Sequence, residues 1–156
     1  MVLEKIMMNY LNGVNSKKLS LDKLREIANK MRAYTLIAIH NAKSGHPGSS
    51  LSAMDLITVA YMNKLKYAPK DPDWEERDRF FLSKDHACPA LYVALAMIGY
   101  YKIEEIMTLR KLNSPFQGHP DMLLLKGIEI SGGSLGQILS VAVGSAIAGK
   151  INNLNY

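Results

Sequence analysis

From Ser20 onward the chain places apolar residues at helical spacing. Leu21, Leu24, Ala28, Met31 and Leu36 fall near one face, and Lys23, Arg25, Glu26, Lys30 and Arg32 populate the other. Ser20 is a suitable N-cap and Asp22 suits the first turn, so a helix is expected from Ser20 to about Lys43, where Gly45 and Pro47 stop it. A second helix is expected from Ser52, where Ser52-Ala53-Met54-Asp55 resembles a capping box, through Leu56, Val59, Ala60 and Met62 to Lys64. The polar, proline-bearing stretch Pro69 to Asp73 reads as a loop. Arg79 to Ser83 is short, apolar and β-like, and reads as a buried strand. Pro89 to Tyr101 is an alanine-rich helical pattern, and Lys102 to Leu112 a short amphipathic one. Ile128 to Ser131 is a second strand candidate. A glycine-rich turn follows, and then an apolar helix from Gln137 to Lys150. Alternating helices and strands predict an α/β layer architecture.

The expected organisation is a leader over 1–19, one domain over 20–150 and a tail over 151–156. Asn12-Gly13 marks a turn within the leader. With 156 residues the chain is long enough to bury a real core. Its longest apolar stretch, Ala87 to Gly99, is too short to span a bilayer, so no membrane partner is expected. Cys88 is the single cysteine, which excludes an internal disulfide and favours a cytoplasmic setting. The net charge of +5 admits phosphate-bearing ligands, but the basic residues are scattered among acids and not interleaved with aromatics, so no nucleic-acid partner is expected.

The candidate chemistry lies in the turns. Three of the four histidines, His46, His86 and His119, sit beside Gly, Pro or Asp, whereas His40 lies inside a helical pattern. In Ser44 to Ser50 two glycines and a proline make a stiff turn able to aim an imidazole, although a helix connection carrying a solvated histidine has the same composition. Cys88 at a helix start is either a low-pKa thiol or a small packing residue. The succession of strand, glycine turn and helix around Gly132 to Gly136 suits an anion at the helix N-terminus, and equally suits a structural turn.

Four motifs in order carry a family resemblance: Ser44-Gly45-His46-Pro47-Gly48-Ser49, Phe81-Leu82-Ser83-Lys84-Asp85-His86-Ala87, Phe116-Gln117-Gly118-His119-Pro120, and the run from Gly127 to Gln137. The chain resembles the transketolases over roughly residues 20 to 150, most of all the N-terminal subunit of the two-chain forms. The resemblance implies a thiamine-diphosphate-binding fold, a parallel sheet flanked by helices, and transfer of a two-carbon ketol unit between sugar phosphates. It implies that His46 contacts substrate oxygens, that His119 meets the substrate hydroxyl near the reacting carbon, and that His86 lies on the diphosphate side. It also implies that the backbone at Gly133 and Leu135 runs along the cofactor. The implied partners are sugar phosphates and a C-terminal transketolase subunit, a homo-oligomer, or both.

The sequence also departs from the family pattern. Asp85 and Ile138 stand where that pattern has glycine, and Gly132 where a threonine is usual. The Gly-Asp-Gly strand and the asparagine that hold a divalent metal in the family are not found, so Mg²⁺ is implied while no metal ligand is assigned in this chain. The fold is therefore expected to be incomplete at its C-terminal end, with unpaired strand edges near Phe80 and Ile128. The chain alone is expected to bind thiamine diphosphate weakly without turnover. The alternative is a catalytically silent, shortened relative, either an interaction module or a decaying gene product.

Overall fold

The computed structural model describes residues 18–155. Most of the expected leader therefore lies outside the described residues. The helices are α1 (Leu21–Ala42), α2 (Pro47–Val59), α3 (Cys88–Met97), α4 (Ile103–Ile106) and α5 (Gln137–Ile151). A π-helical turn, Ala60–Lys64, prolongs α2, and a 3-10 turn, Asp85–Ala87, leads into α3.

The centre of the molecule is α3. Every residue of it is buried, as its sequence requires: it is apolar on all sides and offers no face to water. The small side chains Ala90, Ala94 and Ala96 let neighbours approach closely, and α1, α2 and α4 pack around it. The amphipathic α1 turns Leu24, Ile27, Ala28, Met31, Thr35, Ala38 and Ile39 inward. Its N-terminus is capped as expected, by Ser20 Oγ accepting from the Lys23 amide. Asn63 clamps the entry to α1, accepting from the Leu19 amide at 2.8 Å and donating to the Leu19 carbonyl at 3.2 Å.

Several boundaries differ from expectation. Helix α2 begins at Pro47, with His46 as N-cap, and not at Ser52. Proline suits the first helical position, because its fixed φ is helical and its missing N–H would have no partner there. Ser49 and Ser50 are consequently helical. No Ser52–Asp55 capping box forms: Ser52 Oγ donates to the Ser49 carbonyl, and Asp55 pairs with Arg32 at 2.7 Å. Helix α3 ends at Met97, ahead of Gly99, whose φ is +95°. Helix α4 is a single turn. Beyond it the backbone turns through positive φ at Arg110 and Asn113, which ends the pattern expected to reach Leu112.

The larger correction concerns the sheet. Neither Arg79 to Ser83 nor Ile128 to Ser131 forms a strand, and no strand occurs among the described residues. A strand exists only as one side of a hydrogen-bonded ladder, and these two runs exchange no backbone hydrogen bonds. They meet through side chains instead, with Phe80, Leu82, Ile128, Glu129 and Ile130 lining one small cavity. The parallel sheet expected from the sequence is not formed by these residues.

The second run is pinned to the rest by charge. The Arg77 guanidinium holds the Glu129 carboxylate in a bidentate pair, one arm of it Nη2 to Oε2 at 3.0 Å, and both side chains are largely buried. Helix α5 stands apart. Its sequence is apolar all round, yet only Ile138 and Gly149 are buried, while Leu139, Val143, Ile147 and Ile151 are exposed.

The buried ion pair predicts a stability contrast. Glu129→Gln leaves the guanidinium partly desolvated without its counter-charge and is expected to cost about 2 kcal/mol. Asp73→Asn breaks the exposed pair with Lys126 and is expected to cost less than about 0.5 kcal/mol. Urea denaturation of the two variants checks the difference.

Candidate functional site

The start of α3 and the start of α2 lie side by side. The rings of His46 and His86 meet edge to face with centroids 5.0 Å apart. Ser49 Oγ and His86 Nε2 share a hydrogen bond of 2.9 Å. Lys84 Nζ donates to the Ser49 carbonyl at 2.8 Å and to Ser52 Oγ at 3.1 Å, which ties the segment before α3 to the first turns of α2. Two of the sequence candidates thus share one wall. Ser49 and Lys84, not singled out from the sequence as site residues, hold that wall together; no pattern in the chain signals a contact between residues 35 apart.

His119 arrives on a loop anchored to α3. Phe116 is buried and packs edge to face on Tyr92, with centroids 5.3 Å apart. The Tyr92 hydroxyl donates to the Gln117 carbonyl at 2.9 Å, and Cys88 Sγ lies 3.2 Å from the Gly118 carbonyl as a weak donor. Burial pushes the Cys88 thiol up to about 12. The cysteine is therefore a neutral packing residue, not a nucleophile. Arg110 joins this loop to the first motif. Its Nη1 donates to Ser44 Oγ at 2.8 Å, and the guanidinium lies so close beneath Gly118 that a Cβ there would stand 2.6 Å from Nη2. Glycine at 118 is a requirement of that contact. Arg110 was also missed from sequence, where it reads as one more surface cation.

The glycine-rich turn closes the third side. A Cβ placed on Gly133 would lie 3.9 Å from His119 Cδ2, so this backbone runs beside that ring. Gly136 has φ +88°, a conformation that favours glycine, and it is the N-cap of α5 with open space around it. Leu135, on the same turn, is exposed. Asp85 stands between the histidines. It is 2 % exposed, and the charges of His119 and His86 act on its carboxyl group. Burial raises its pKa, opposed by His119, the Gly132 amide and His86. The structure therefore gathers His46, His86, His119 and Gly133 around one region at the start of α3. His40 stays on α1, outside it.

The three positions that depart from the family pattern meet in space. A Cβ on Gly132 would stand 2.5 Å from Asp85 Oδ2 and 2.6 Å from Ile138 Cδ1. Asp85 and Ile138 are each 2 % exposed. The absent side chain at 132 is what makes room for the other two. Ile138 therefore points into the protein, packed under the turn.

Among the described residues no group of three His, Cys, Asp or Glu stands together to hold a metal ion. The larger groove, about 370 Å³, lies between α1 and α2 and is lined by none of the three histidines.

This packing unit makes a prediction. Gly132→Ala is expected to cost about 1–3 kcal/mol through overpacking. In an Asp85→Gly background the same change is expected to cost markedly less, with a coupling of about 1 kcal/mol. A double-mutant cycle by chemical denaturation measures it.

Comparison with known proteins agrees with this arrangement. Residues 23–156 match the family model described as "Transketolase, thiamine diphosphate binding domain". The chain is 41% identical over 127 residues to transketolase 1 of Escherichia coli (strain K12), covering 81% of this chain and 19% of that protein. It is 43% identical over 131 residues to the 6-deoxy-6-sulfo-D-fructose transketolase subunit SqwG of Clostridium sp. (strain MSTE9), covering 84% of this chain and 48% of that subunit. Among solved structures, transketolase from Campylobacter jejuni superposes with a TM-score of 0.77 at 37% identity over 85% of this chain and 21% of that one. Transketolase from Leishmania mexicana gives 0.76 at 35% identity over 85% and 19%. The chain thus spans about a fifth of the length of these larger relatives and about half of the subunit. The matched length and the shared fold lead to one conclusion: the chain belongs to the transketolase family, within its thiamine-diphosphate-binding N-terminal section.

Proposed function

We propose that this chain supplies the diphosphate-side half of a transketolase active site, acting as part of an assembled enzyme that moves a two-carbon ketol unit between sugar phosphates. The observation that carries the reading is the convergence of the His46, His86 and His119 segments with the glycine-rich turn that opens α5. Four motifs far apart in the chain have no structural need to meet at one place; a shared ligand provides one.

The residues present suit thiamine diphosphate in most respects. Gly136 starts a fifteen-residue helix whose first N–H groups and dipole favour an anion. His86, fixed by Ser49, stands ready to donate to a phosphate oxygen from its ring. Gly133 and Leu135 offer backbone along which a cofactor can lie. When bound, the cofactor supplies the electron sink for breaking and making the carbon–carbon bond. The histidines do the proton work. His46 is placed to bind substrate oxygens, and His119, beside Gly133, is placed to hold or accept a proton at a substrate hydroxyl. The described residues do not suit a metal ion, and no step here depends on one.

The exposed apolar surface of α5 supports the assembled state. A C-terminal transketolase subunit or a second copy of the chain is the partner we infer for it. No helix among the described residues is long and apolar enough to cross a membrane. A cytoplasmic setting remains part of this proposal, on the strength of the lone cysteine.

Isothermal titration tests the reading. Thiamine diphosphate is expected to bind the chain weakly, and thiamine lacking the diphosphate to bind at least about tenfold more weakly still. His86→Ala is expected to lose about tenfold in affinity for the diphosphate form, the scale of one charge-assisted hydrogen bond. Equal affinity for thiamine and thiamine diphosphate, or no binding of either, would contradict the proposal.

A further inference from the structure

Asp85 lies at the meeting point of the site and has no role in the function just proposed. Its Oδ2 is buried without a hydrogen-bond partner, directly beneath the turn that carries Gly132 and Gly133. The Gly132 amide, His119 and His86 face the carboxyl group. From α3 the neutral side chains of Cys88 and Tyr92 face it. Glu129, the other acid lining the small cavity behind it, is held by Arg77, and the Lys84 ammonium is engaged by Ser49 and Ser52. No ion pair among the described residues neutralises Asp85.

An ionised carboxylate here has two effects on an incoming anion. It competes for the same donors, the Gly132 N–H and the histidines. It also places a like charge in a poorly solvated position. A protonated carboxyl does the reverse, because its O–H is a donor still seeking an acceptor. We propose that Asp85 is a specificity residue for the anion received by the α5 N-terminus and His86: ionised, it weakens binding of a diphosphate, and protonated, it donates a hydrogen bond to it. This rests on the reading that the site receives a diphosphate.

The test uses the full chain and Asp85→Asn, titrated with thiamine diphosphate and separately with inorganic diphosphate at pH 5, 7 and 8.5. At pH 8.5 the variant is expected to bind both probes about tenfold tighter or more, the equivalent of one pKa unit of interaction. The affinity ratio of variant to wild type is expected to fall toward one at pH 5. Both proteins share the titration of His46, His86 and His119, so the ratio isolates Asp85. Asp85→Gly removes the charge without adding an amide and is expected to reproduce the gain, with circular dichroism confirming the fold of each variant. A ratio near one at every pH overturns the inference, and so does failure of both variants to bind inorganic diphosphate. Tight binding of thiamine diphosphate with no effect of Asp85→Asn sinks this inference and leaves the cofactor reading intact. An Asp85→Asn gain seen with inorganic diphosphate, but no binding of thiamine diphosphate, does the opposite.

Discussion

The burial of α3 on all its sides is the constraint on which the rest depends. A helix with ten apolar residues and no polar face must be enclosed, and α1, α2 and α4 enclose it. Enclosure fixes its N-terminal end, where Asp85 and His86 sit in the lead-in turn. It also fixes Cys88 and Tyr92, whose polar atoms have few partners in an apolar core and find them in the carbonyls of Gln117 and Gly118. The loop bearing His119 is held by that requirement. Packing α2 against α3 then brings His46 to His86. The site is therefore a by-product of core packing at one end of one helix.

Much of this was legible in the chain. Hydrophobic periodicity located α1, α3 and α5, and the motifs around the histidines marked the residues that converge. The start of α2 was misread because Pro47 and Gly48 look like turn residues; only the His46 N-cap geometry shows the proline serving as the first residue of a helix. The strands were overread for a different reason. Arg79 to Ser83 and Ile128 to Ser131 have the composition of buried strands, but composition reports burial, and pairing depends on a neighbour that composition cannot supply. The contributions of Arg110, Ser49 and Lys84 were invisible because each acts across a long sequence separation through a single polar contact.

Asp85, Gly132 and Ile138 read, one at a time, as three separate departures from a family pattern. In space they form one unit, in which the missing Cβ at 132 admits both the carboxyl group and the Ile138 side chain. The departures are sterically consistent with each other and leave the turn beside His119 in place. What they change is the electrostatics at the point where the fold gathers its histidines. The geometry of the site and its charge can therefore diverge: packing preserves the first while one buried acid alters the second.

The central claim is that residues 46, 86 and 119 belong to one ligand site built at the head of α3. Ring proton and carbon resonances of the four histidines, followed by NMR during titration with thiamine diphosphate, test it most directly. The account predicts that the signals of His46, His86 and His119 shift together along one binding curve while His40 on α1 stays still. Shifts confined to one of the three, or a response of His40 alone, would contradict it.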